Sequence, residues 1–223
     1  GLTHDVAYGT NGNPDALYLE GIVSIKKGAT LTLKPGVEIF AEPFADIDSS
    51  RNNYISVEGT LLSQGTETNG VLMTRAGDGG EWGGIHVNDG GTLEMTHTEV
   101  SFSGREISSY GGAETTPNTF RLTNCHIHDI SDDGIDLSGH HKEISLVGNT
   151  LSDNQINGLV VSGTFNPDVF SGVSIEKNNF IDNGQGGIKV ESLGFLNIIE
   201  NNSYSGNGSN GVVLLGVGLT HDV

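Results

Sequence analysis

Short apolar pairs two residues apart, each set behind a glycine, punctuate the second half of this chain. Ile135/Leu137, Leu159/Val161, Ile188/Val190 and Val212/Leu214 follow Gly134, Gly158, Gly187 and Gly211. Alternation at period two puts both members of a pair on one face of a strand, so each pair predicts a short strand with that face buried. The glycines recur at steps of 24, 29 and 24 residues, a repeat near 24 with one insertion around residues 164–168. The first half keeps a looser register. Thr30-Leu31, Thr60-Leu61 and Thr92-Leu93 each open a strand, with threonine steps of 30 and 32 that imply longer loops. Residues 82–87 join the halves, since Gly84 lies 50 residues before Gly134, about two steps. The polar run 105–118 predicts a loop extruded from the side of a coil. No i, i+3, i+4 apolar pattern is sustained, and Gly, Asn and Asp break the chain too often for helices to propagate.

A sandwich or barrel joins strands by hairpins and needs no recurrence every 24 positions. A stack of coils does, because each turn lies about 4.8 Å above the last and like sits on like. The expected fold is all-β, a single-stranded β-solenoid of roughly 8–9 coils with little or no helix. Asn149, Asn178 and Asn202 occupy one column of the aligned repeats, with Cys125 one turn earlier. Such a column predicts an internal ladder that satisfies buried polar groups at the turns, and makes Cys125 a small, chemically quiet buried thiol.

Composition narrows the function. The 28 acidic and 10 basic residues give a net charge of −18, which disfavours nucleic acid as a partner. No stretch is long and apolar enough to insert in a membrane. With one cysteine, no disulfide forms within the unit.

The sequence Gly1-Leu2-Thr3-His4-Asp5-Val6 returns as Gly218-Leu219-Thr220-His221-Asp222-Val223, an offset of 217 residues. That identity predicts a tandem array. Residues 1–217 form one repeat unit and residues 218–223 begin the next. Leu2, Val6, Leu219 and Val223 then mark the junction between units. The apolar ends of each coil stack would be covered by another copy of the same unit, so the expected partner is the protein itself.

The repeat, an asparagine, an apolar residue and then Gly followed by Ile-x-Leu/Val, resembles that of right-handed parallel β-helix proteins of the pectin-lyase-like superfamily. The stretch from Val23 through Gly59-Thr60-Leu61 to Glu94 is similar to β-helix segments of large secreted and cell-surface bacterial proteins. This resemblance implies a right-handed coil and an extracellular or cell-surface location, and is compatible with shafts, adhesins, lyases and hydrolases alike.

Two kinds of chemistry are candidates. Asp132, Asp133 and His140 distantly resemble the polygalacturonase set, in which paired aspartates act as general acid and base on an acidic polysaccharide. The histidine follows too soon after the aspartates for that set, and Gly187 stands where it has an arginine. Asp46, Asp48 and Ser50 offer hard oxygens at alternate positions, as at the opening of a calcium loop, although Arg51 and Val57 depart from the rest of that motif. His126 and His128 share a strand face and read as solvent-facing polar residues. The leading expectation is a structural segment of an extracellular fibre, stalk or adhesin shaft that assembles end to end, without catalysis and without a required cofactor. A polysaccharide hydrolase or lyase and a calcium-dependent binding module are the alternatives, with polysaccharide or cations as further partners.

Overall fold

The computed structural model describes residues 1–9, 16–44, 53–110, 115–162, 172–191, 199–209 and 211–215. Among them the regular elements are 24 short strands, without a helix. The strands are dealt in rotation into three sheets of eight. The first sheet runs from β1 (Val6–Tyr8) to β22 (Ile199–Glu200). The second runs from β2 (Ala16–Leu19) to β23 (Ser203–Ser205), and the third from β3 (Val23–Ile25) to β24 (Val212–Leu214). Neighbouring rungs pair in parallel. Eight rungs among the described residues, at about 4.8 Å each, give an axial rise of about 38 Å.

Alternation sets the core. In each strand one set of side chains points inward and stacks on its counterpart a rung away, so the core is a set of columns. The glycine-led pairs form two of them: Ile135, Leu159, Ile188 and Val212 in one, Leu137, Val161, Val190 and Leu214 in the other. All are fully buried except the last rung, where Val212 is 39% and Leu214 41% exposed because, among the described residues, no further strand covers β24. In the first half the threonines align as expected, Thr30 with Thr60 and Thr60 with Thr92. Gly59 is fixed by close approach, since a Cβ there would lie 2.4 Å from the carbonyl oxygens of both Ala29 and Lys26.

One expectation needs correction. The run 105–118, read as an extruded loop, contains the buried strand β12 (Ile107–Ser109), which takes its place in the third sheet between β9 (Ile85–Val87) and β15 (Ile135–Leu137). Ile107 fills the column between Ile85 and Ile135, but its inward partner is Ser109 in place of an aliphatic residue. Ser109 Oγ shares hydrogen bonds with His141 Nε2 at 2.8 Å and Asn118 Nδ2 at 3.0 Å. Those two groups offset the desolvation of the hydroxyl, so the strand stays buried without the apolar pair that announces the others. The insertion at residues 164–168 lies outside the described residues.

Candidate functional site

The turns between the first and second sheets carry the expected ladder. Asn149 Oδ1 accepts from the Cys125 backbone N–H at 2.9 Å. Asn178 Oδ1 accepts from both the backbone N–H and Nδ2 of Asn149, and Asn202 Oδ1 does the same for Asn178. The remaining amide protons go to the carbonyls of Leu122, Leu146 and Ile175. Burial pushes the Cys125 thiol up to about 11, leaving it protonated and unreactive at neutral pH.

A second ladder, missed in the sequence, runs beside the first through Asn154, Asn183 and Asn207, with the Ile130 backbone N–H at its head. Its signal was present: each member follows a member of the first ladder by five residues. In both ladders the residue before each member has a left-handed backbone. Asn124, Gly148, Lys177 and Asn201 serve the first ladder, and Asp129, Asp153, Asp182 and Gly206 the second, with φ between 52° and 70°. This bend turns the chain between sheets and aims the next side chain inward.

The strongest concentration of titratable groups lies on the third sheet's outer side, at β12 and β15. Glu106, just before β12, is only 5% exposed. Its Oε1 accepts from the Tyr110 hydroxyl, and its carboxyl lies beside that of Asp132. Burial, then the contact with Glu106, raises Asp132, while Arg105 opposes the shift. Asp136 points outward from β15 beside them, and burial followed by repulsion from Glu106 and Asp133 lifts it to about 6. Its Oδ1 is buried without a hydrogen-bond partner. Tyr110 is raised as well, by burial and by its bond to Glu106.

Asp133 has a different task. Its Oδ1 accepts from the backbone N–H and Nδ2 of Asn157, both at 2.8 Å, tying one rung to the next. Burial outweighs those bonds and still raises its carboxyl. His140 stands in the turn before β16 (His141–Val147), where its carbonyl accepts from Asn118 N–H at 3.0 Å. The structure therefore groups Asp132 with Glu106, Tyr110 and Asp136. Among these neighbours, Glu106 raises Asp132.

His126 and His128 stack on one another, ring centroids 4.1 Å apart, and His128 bonds to Asp129 and Glu99. His126 also borders a cleft of about 420 Å³ on the second sheet's outer face, lined by Glu38, Glu67, Glu99 and His97 among others. Among the described residues, no three His, Cys, Asp or Glu side chains converge as metal ligands, and no helix is long and apolar enough to cross a membrane. The calcium candidates Asp46, Asp48 and Ser50 and the junction residues Leu219 and Val223 lie outside the described residues. Leu2 and Val6 lie at the first rung, Leu2 bridged to Ile25 and Val6 paired with Leu31.

Three parallel sheets wound in rotation, with internal asparagine ladders, define a parallel β-solenoid. A family model described as a right-handed β-helix region matches residues 76–219, and one described as a pectate-lyase-like β-helix domain matches residues 10–123. The chain belongs to the right-handed β-helix family. No curated protein and no solved structure matches it.

Proposed function

We propose that this β-helix is a structural segment of an extracellular fibre, stalk or adhesin shaft in which copies of the unit stack end to end. One observation carries the reading: the two ends of the stack are complementary in register. Its inward columns close on Ile199, Tyr204, Val212 and Leu214, and the same columns open on Tyr8, Leu17, Val23 and Ile25, the last with Leu2 set over it. Apolar residues therefore meet apolar residues at each position. Among the described residues the first strand is in the first sheet and the last is in the third, so the order of rotation is kept across such a junction. Covering one such layer is worth on the order of 5 kcal/mol, and the net charge of −18 discourages side-by-side clumping while leaving the ends apolar. Electron cryo-microscopy of concentrated protein tests this. Filaments with an axial repeat of about 38 Å are expected; particles one unit long at every concentration and ionic strength would refute it.

The acid group favours a second reading, a polysaccharide hydrolase. Placing Glu106 beside Asp132 does nothing for rung stacking, and burial raises Asp132 and Asp136 alike, as suits general acid catalysis. A depolymerisation assay on acidic polysaccharides with Glu106→Gln and Asp132→Asn decides it. Activity lost in both variants supports the hydrolase; turnover that is absent, or unchanged by both, removes it.

A further inference from the structure

We propose that residues 1–5 form a displaceable strap, with Leu2 occupying over Ile25 the place that Leu214 of a second copy takes when two units join. This inference rests on the end-to-end reading above and adds to it a control on joining.

A series of backbone hydrogen bonds runs along the third sheet. Glu58 N–H donates to Ile25 O, Asn88 to Val57 O, Ser162 to Leu137 O, Glu191 to Val161 O and Leu215 to Val190 O. In each, the residue after an inward column member donates to the column member one rung before. Lys26 N–H donates to Leu2 O at 2.9 Å in the same pattern, and Leu2 N–H donates to Ser24 O at 2.7 Å. Leu2 is thus a surrogate rung at the head of the column that ends on Leu214. In a joined stack the rung before Ile25 belongs to Leu214 of the preceding copy. The Lys26 N–H and the Ser24 carbonyl can serve only one of the two.

Chain length allows either closure. From this column to the Val6 column of the first sheet, the connections run from four residues, Val57 to Leu61, to twelve, Val161 to Val173. Leu2 lies four residues before Val6, the short extreme. Leu214 lies nine before Val223, the residue that repeats Val6, well inside the range. That spacing is long enough for a chain to pass from the Leu214 column to a following first-sheet strand. The strap covers one column only. Beside it remains a cavity of about 220 Å³, bordered by Leu2, Tyr8, Leu17, Val23 and Ile39, which the closing residues of a second copy would fill.

A strap closed nine-tenths of the time weakens joining about tenfold. The test compares association of the 223-residue wild type with Leu2→Gly and Leu214→Asp by sedimentation velocity, with melting curves to verify that both variants fold. Leu2→Gly is expected to tighten association about tenfold, and Leu214→Asp to abolish it. Leu2→Gly that weakens association or leaves it unchanged, while Leu214→Asp still abolishes it, overturns the strap and spares the end-to-end reading. Association indifferent to Leu214→Asp overturns both. A second readout is covalent. Ser24 opens and Val213 closes one outward column, so Ser24→Cys with Val213→Cys should form intermolecular disulfides on oxidation, more readily when Leu2→Gly is added. Failure of Leu2→Gly to raise that yield again counts against the strap.

Discussion

The two halves of the stack bend the chain between sheets by different means. In the first half, turns close on themselves: Ala29 N–H donates to Lys26 O, Val37 to Lys34 O and Gly91 to Asn88 O. Their left-handed positions fall on Gly28, Gly36 and Gly90, with φ between 81° and 85°. In the second half, left-handed positions fall mostly on Asn, Asp and Lys residues, at about 1–2 kcal/mol each. The two ladders offset that cost, because each amide satisfies a backbone N–H one rung before it and reaches a carbonyl deeper in the stack. Glycine makes a bend locally permissible, whereas a ladder makes it cooperative between rungs. The second half can therefore vary the bending residue, provided the side chain that follows is an amide.

The largest expected effect breaks that contrast directly. Asn178→Ala strips partners from the Asn149 backbone N–H, the Asn149 amide and the Leu146 carbonyl at once, a loss of about 4 kcal/mol in chemical denaturation. Thr60→Ala, at a half-buried outward position of the first half, should cost less than about 1 kcal/mol. Equal losses would show that the halves are held alike.

Next comes the acid group, which lies where the halves meet. Because Asp136 is lifted from 3.8 to about 6 by burial, its contribution to stability is fully present below about pH 3.8 and is lost as the pH rises through about 6. Asp136→Asn should therefore stabilise the protein at pH 7.5 by about 1–2 kcal/mol, after allowance for partial exposure, and change little at pH 3.5. Thermal melts at the two pH values give the answer, and an equal effect at both would discount the charge.

Smaller again are paired changes at the bends. Gly28→Ala meets no atom within 4 Å but keeps φ at 83°, so it should cost about 1 kcal/mol through the backbone alone. Lys177→Gly should stabilise by about 0.5–1 kcal/mol, since Lys177 holds φ at 58° beside an intact ladder. Least visible is Cys125. Its thiol should resist an aromatic disulfide reagent at pH 8 in the folded protein and react fully in denaturant.

Where the sequence was legible, like residues recur at one rung's length. The pairs after Gly134, Gly158, Gly187 and Gly211, and the column of Asn149, Asn178 and Asn202, could be aligned because each rung repeats the chemistry below it. Legibility failed where stacking joins unlike residues. Ser109 hides a strand because its hydroxyl is satisfied by His141 and Asn118, neither of which is a column mate. Glu106 and Asp132 are 26 residues apart and meet only because one rung lies on another, so no local motif announces them. The second ladder was obscured at its head by Ile130, which keeps the backbone hydrogen bond but lacks the amide.

The connection from third sheet to first varies from four to twelve residues while the strands on either side hold their register. Evolution is thereby left a margin of free text between fixed lines. Segments inserted along that edge can lengthen, shorten or acquire recognition chemistry without moving a single column, so a solenoid of this design can change what it meets while keeping its reach.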